Sequence, residues 1–142
     1  MADESTQSIS IAAPASRVLD VIADFPSYPE WADSITSAKV LTNDDDGRPE
    51  QVRFTLDAGA LKDTYVLAYD WQDDGVTWDL VSGQVQRSQR GRYRLTDDGP
   101  GTTVTYTLAV DLTFPMPGMI KRRAEKKIMD TALTGLKRRV EG

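Results

Sequence analysis

Two residue types that carry much of protein acid–base and metal chemistry are missing from this chain, which contains neither histidine nor cysteine. The usual general base at neutral pH, the commonest metal ligand, a thiolate nucleophile and any disulfide framework are therefore excluded together. The run Asp44-Asp45-Asp46 hints at a calcium loop, but Gly47-Arg48-Pro49-Glu50 lacks the alternating oxygen ligands of an EF-hand. It reads as a solvated hairpin tip. Glycine-rich phosphate loops, paired carboxylates at diagnostic spacing and metal-ligand clusters do not occur in the sequence, so neither a metal nor another cofactor is expected. The side chains left with chemical potential are phenols and a few strand-borne polar groups: Tyr65, Tyr69, Tyr93 and Tyr106, with Arg87 and Gln89.

These residues fall in segments of period-two alternation, the mark of a half-buried strand. Val52, Phe54 and Leu56 alternate with Arg53, Thr55 and Asp57, and Tyr65, Leu67, Tyr69 and Trp71 with Val66, Ala68 and Asp70. Val76, Trp78 and Leu80 continue the pattern, and Val104, Tyr106, Leu108, Val110 and Leu112 form the longest apolar stripe. Parity then puts Phe54, Tyr65, Leu67, Tyr69 and Trp78 on the dry face. It adds Tyr93, Tyr106 and Leu108 from the last strands and Ile120 from the helix that follows. Such an aromatic-rich lining offers stiff apolar contact with a few hydroxyl handles, which suits a lipid tail or a flat polycyclic ligand; it equally suits a packed core.

The same parity puts Gln89 and Arg87 on the dry face with Tyr93. A buried guanidinium is costly unless paired. Arg87 therefore reaches the rim, pairs with an inward acid such as Asp63 or Glu125, contacts a polar ligand group, or is turned to solvent by a bulge beside Gly91.

The elements that must position these side chains define the fold class. Ser8 to Ile11 reads as a first strand, and Pro14 opens a helix over Ala15 to Ala23 with Val18, Leu19 and Ile22 on one side. Phe25-Pro-Ser-Tyr-Pro-Glu-Trp31 allows only short helical turns. Further strands run from Ile35 to Leu112 in an antiparallel meander, and the chain ends in one long amphipathic helix from Gly118 to Val140. Apolar residues at Ile120, Ala124, Ile128, Ala132, Leu136 and Val140 make a stripe that winds around its axis. That helix is about 10 Å across, whereas six or seven strands at ~4.8 Å spacing span roughly 30 Å. The sheet must curl around the helix. The expectation is an α+β fold in which a curved antiparallel sheet of six or seven strands wraps one C-terminal helix, with two short helices after the first strand.

Residues 1–142, 39% of them hydrophobic, suffice for a single domain with its own core. No segment has the apolar length of a signal peptide or a membrane span, and a cytoplasmic protein is expected. The net charge of −5 is unevenly spread: residues 121–142 carry eight Lys/Arg against three acids, leaving nine basic and nineteen acidic residues before them. An acidic whole argues against nucleic acid as the main ligand. The basic helix reads as a solvated face complementing an acidic sheet, or as a surface for transient contact with an anionic membrane or a partner.

The run Ile11 to Trp31, the Gly91-x-Tyr93-x-Leu95 strand, Gly101-Thr-Thr-Val-Thr105 and the terminal helix together resemble the START-like (SRPBCC) superfamily. The resemblance is to its polyketide cyclase/dehydrase and lipid-transport branch, which includes coenzyme Q-binding proteins. It covers nearly the whole chain and implies a helix-grip fold with a hydrophobic cavity. A lipid, isoprenoid quinone or polyketide-like compound is the implied ligand. The resemblance also implies an alternative, an aromatase/cyclase in which Arg87 works with Tyr69 or Tyr93, although no motif fixes such a trio and no catalytic residue is assigned.

Overall fold

The computed structural model describes residues 4–59 and 62–142. Its elements are β1 (Glu4–Ile11), α1 (Ala15–Ala23), a 3-10 segment (Phe25–Glu30), β2 (Ile35–Asn43), β3 (Pro49–Asp57), β4 (Lys62–Gln72), β5 (Gly75–Gly83), β6 (Gln86–Asp97), β7 (Thr102–Leu112) and α2 (Gly118–Glu141). All seven strands join one antiparallel sheet in the order β1-β7-β6-β5-β4-β3-β2. The chain's first strand therefore closes against its last, and the remainder is a meander. This is the α+β helix-grip architecture expected from the sequence.

Alternation explains which face each strand buries. On β7, Thr102, Val104, Tyr106, Leu108, Val110 and Leu112 are all buried while the residues between them are half-exposed. β3 buries Val52, Phe54 and Leu56 in the same way. Cross-strand registry then aligns the aromatics: Phe54 opposes Tyr65, Tyr69 opposes Trp78, and Tyr93 opposes Tyr106. Trp78 opposes Gly91, where a Cβ atom would lie 2.1 Å from the indole ring. Glycine at this position lets the large ring lie across β6.

The helix packs differently from the stripe expected of it. Met129, Leu133, Leu136 and Val140 are buried, joined near the start by Ala124 and Glu125. These recur at three and four and form a straight seam rather than a winding one. Ile128 and Ala132 are only half-buried, and Ile120 is exposed. α2 lies over β1 and β7 and against α1, whereas the 3-10 segment packs on β2 at the opposite edge. The inner face thus has two separate covers.

Replacing Gly91 with alanine would drive the new methyl into Trp78. Overpacking of this kind costs about 1–3 kcal/mol. Urea denaturation of Gly91→Ala should show an unfolding free energy lowered by that amount, and an unchanged value would mean that Trp78 does not need the bare backbone.

Candidate functional site

Where the two covers meet, a cavity of about 70 Å³ remains between sheet and helix. From α2 it is bordered by Ile128, Thr131 and Ala132, and from the opposite cover by Tyr28, Trp31, Ala32, Ser34 and Ile35. The sheet contributes Phe54, Tyr65, Leu67, Tyr69, Trp78, Gln89, Tyr93 and Tyr106. Among the described residues no Lys, Arg, Asp or Glu lines it. All five tyrosines of the chain do.

The aromatic walls support one another. Phe25, fully buried, touches Tyr28, Phe54 and Tyr69 with ring centroids 4.9, 5.7 and 4.8 Å apart. Trp78 lies 5.2 Å from Tyr93 and 5.9 Å from Tyr106, which are themselves 4.6 Å apart. Offset and tilted contacts at these distances are the favourable geometry for π-systems and hold the rings in place.

Polar groups are few and specifically held. Trp78 Nε1 donates to Gln89 Oε1 at 2.9 Å, and Gln89 Nε2 donates to Gln86 Oε1. The two bonds orient the Gln89 amide in the wall. Tyr28 donates its hydroxyl to the Ile22 carbonyl. Trp31, which also lines the cavity, has a buried indole N–H without a partner. Burial pushes every phenol well above its ordinary value, and each phenolate would in addition repel its neighbours. For Tyr106 desolvation is again the larger cause, and the nearby carboxylate of Glu125 adds to it. Near neutral pH the hydroxyls are therefore protonated.

The structure brings eight of the expected site residues to this cavity: Phe54, Tyr65, Leu67, Tyr69, Trp78, Gln89, Tyr93 and Tyr106. Leu108 is buried on the same face but lies outside the lining. Two placements are corrected. β6 slips register against β7 between Gln86 and Ser88, so that Gln86 and Gln89 both point inward and Arg87 turns to solvent. There its guanidinium sits 3.9 Å from Asp111. Neither inward acid pairs with it: Asp63 accepts backbone N–H groups of Gln84, Val85 and Gln86, and Glu125 lies 4.0 Å from Lys121. Ile120, on the first turn of α2, precedes the seam and is 43% exposed.

Sequence reasoning missed the wall contributed by Tyr28, Trp31, Ala32, Ser34 and Ile35. The cluster of aromatics around two prolines was the available signal, since rings in a turn need a surface to pack on. Gln86 was missed because the bulge reverses its facing.

An antiparallel sheet gripping a C-terminal helix over an aromatic cavity defines the helix-grip class. The chain belongs to the family described as polyketide cyclase / dehydrase and lipid transport, whose model matches residues 3–141. Among solved structures it is similar to a START superfamily protein from Mycobacterium smegmatis, at 24% identity over 97% of each chain with a TM-score of 0.89. It is also similar to the Zhui aromatase/cyclase from Streptomyces sp. R1128, at 13% identity over 99% of this chain and 94% of that one, TM-score 0.86. A STAR-related lipid transfer protein from Xanthomonas axonopodis shares 17% identity over 98% of this chain and 86% of that one, TM-score 0.77. At these identities the likeness is one of fold. No curated protein sequence matches. No helix among the described residues is long and apolar enough to cross a membrane.

The phenols make the site alkali-sensitive. Their folded values lie above the unfolded one of about 10, so the stability they carry is complete below about pH 10 and is lost as pH rises toward the folded values. Absorbance at 295 nm during an alkaline titration should show the tyrosines ionising together with unfolding, in one step above pH 10. Independent ionisation near pH 10 in a still-folded chain would contradict the described burial.

Proposed function

We propose that this protein binds a hydrophobic small molecule, of the lipid, isoprenoid quinone or polyketide-like kind, between the sheet and α2. The observation that carries this reading is the composition of the cavity wall: aromatic and aliphatic side chains with neutral hydroxyl and amide groups, and no charged side chain. Such a lining recognises apolar rings or chains and can meet a few oxygen atoms through the phenols and the Gln89 amide. The orphaned Trp31 N–H supports the same reading, because a buried donor without a protein partner is satisfied by a ligand acceptor. A carboxylate or phosphate would find no cation in the wall and would lie near Glu125, so the enclosed part of the ligand is uncharged.

Size adds a requirement. At about 70 Å³ the cavity has less than half the roughly 150 Å³ of an apolar cavity that takes benzene. A lipid chain or polycycle therefore enters by parting the seam between Ile128, Thr131 and Ala132 on α2 and the Trp31 to Ile35 stretch facing them. The two covers are separate elements, which permits one to move against the other.

The cyclase alternative draws on the fold shared with an aromatase/cyclase and needs a proton-transfer pair at the cavity. Its arginine is absent from there, since Arg87 pairs with Asp111 outside. Its phenols are protonated at neutral pH, poor bases for abstracting a proton. Binding accounts for the site without further groups.

Native mass spectrometry of purified protein, or solvent extraction, should reveal a copurifying apolar ligand. Ala132→Phe, whose ring is larger than the cavity and occupies it from the helix side, should lower affinity for an environment-sensitive hydrophobic probe at least tenfold in a protein whose circular dichroism still shows the parent's fold. Arg87→Ala should leave that affinity unchanged. An empty protein that also ignores the probe would remove the binding reading, and turnover of an aromatic polyketide that falls in Tyr93→Phe would favour catalysis.

A further inference from the structure

Arg87, placed on the dry face by strand parity, and Ile120, placed there by helix periodicity, both lie outside the cavity, at the end of the molecule where β7 passes into α2. A surface depression of about 360 Å³ there is lined by Arg87, Phe114, Met116 and Lys121 among others. Ile120 directly precedes Lys121. Along this short connection apolar side chains stand open to solvent: Phe114 is 42% exposed and Met119 67%, beside Ile120. Large apolar side chains gathered within seven residues form a patch rather than the scatter normal on a protein surface.

Cations follow at once. Lys121, Arg122, Arg123, Lys126 and Lys127 occupy the first ten residues of α2. Lys121 lies 4.0 Å from Glu125 and Lys126 2.7 Å from Asp130, while Arg122, Arg123 and Lys127 have no ion pair among the described residues. The placement does not serve the helix itself. Its N-terminal end carries the positive pole of the backbone dipole, and this end has no acid in its first turn and no side-chain cap. Basic groups there repel the pole, and an external anion would relieve them.

Geometry joins the two features. Ile120, Arg123 and Lys127 recur at three and four, forming one stripe on the side of α2 opposite the buried Glu125, Met129 and Leu136. Net charge gives the orientation, because the chain carries −5 overall while residues 121–142 hold eight Lys/Arg against three acids. An anionic plane therefore attracts this cationic end of a molecule that is acidic as a whole.

We propose that the β7–α2 end docks on an anionic lipid bilayer, with Phe114, Met119 and Ile120 entering the headgroup layer and Arg122, Arg123 and Lys127 meeting lipid phosphates. A partner of unlike chemistry fits less well: a protein groove would use the apolar groups but leave the cation stripe unmatched, and a soluble polyanion would leave the apolar groups in water. The docked end lies close to the cavity. Ile128 lines that cavity eight residues beyond Ile120, about 12 Å along the helix axis.

Cosedimentation with vesicles tests this directly, comparing pure phosphatidylcholine with phosphatidylcholine containing one-third phosphatidylglycerol. The expected result is binding to the anionic vesicles alone, weakened by about 0.5 M salt as screening shortens the range of the charges. At about fivefold per cation near an anionic surface, the triple variant Arg122→Gln/Arg123→Gln/Lys127→Gln should bind roughly a hundredfold more weakly. Phe114→Ser/Ile120→Ser, which leaves the charge untouched, should lose about tenfold or more. All these positions are exposed, so both variants should melt as the parent does. Ala132→Phe should still dock, which separates this surface from the cavity. Equal binding to neutral vesicles, no binding at low salt, or full anionic binding by either folded variant would overturn the proposal.

Discussion

One helix cannot cover seven strands, and most of what is distinctive about this molecule follows from that mismatch. α2 rests on β1 and β7 and against α1, leaving the inner face of the far strands to be covered by something else. The Phe25 to Trp31 stretch does so, with Phe25 wedged among Phe54, Tyr69 and Trp71. How tightly the two covers approach is set at Gly135, where a Cβ atom would fall 2.1 Å from the Trp31 carbonyl oxygen. A bare backbone at that point brings the helix onto the turn. The cavity is the part of the join that remains unfilled.

Charge is sorted by the same division of faces. β6 alternates arginines on the outer surface with Gln89, Gly91, Tyr93 and Leu95 on the inner one. Arg90 pairs at 3.1 Å with Asp79 on neighbouring β5, and Arg94 lies 3.9 Å from Asp74 in the β4–β5 turn, exposed pairs worth little to stability. Inward-facing acids are placed with partners: Asp63 ties down the β5–β6 turn through three backbone N–H groups. The interior beyond them is neutral, and its polar contacts are hydrogen bonds between amides, indoles and phenols. An uncharged, aromatic interior thus lies behind a charged exterior.

Much of this was legible in the sequence, for reasons that particular residues make clear. Strict alternation on β3, β4 and β7 has no helical alternative, so the facing of Phe54, Tyr65, Leu67 and Tyr106 could be read directly. The single terminal helix and the width of the meander required a curled sheet. Arg87 and Gln86 could not be placed, because a bulge adds one residue to a strand without changing its composition, and every facing before it reverses. Ile120 misled for a different reason: helix periodicity says which side of a helix is apolar but not where along its axis the sheet ends. The wall built by Tyr28, Trp31 and Ser34 is a tertiary event, a turn folded over a distant strand face, and no local period announces it.

The crowding of rings has an optical consequence. All three tryptophans belong to this cluster: Trp31 and Trp78 border the cavity, and Trp71 stacks on Tyr69 with centroids 6.0 Å apart. Each tyrosine lies within energy-transfer range of an indole, so excitation absorbed by the phenols emerges as tryptophan emission. The light this protein gives off therefore originates in this ring cluster, with two of its three indoles bordering the cavity. The molecule carries its own fluorophores at the one place where an arriving guest or a parting helix would change their surroundings.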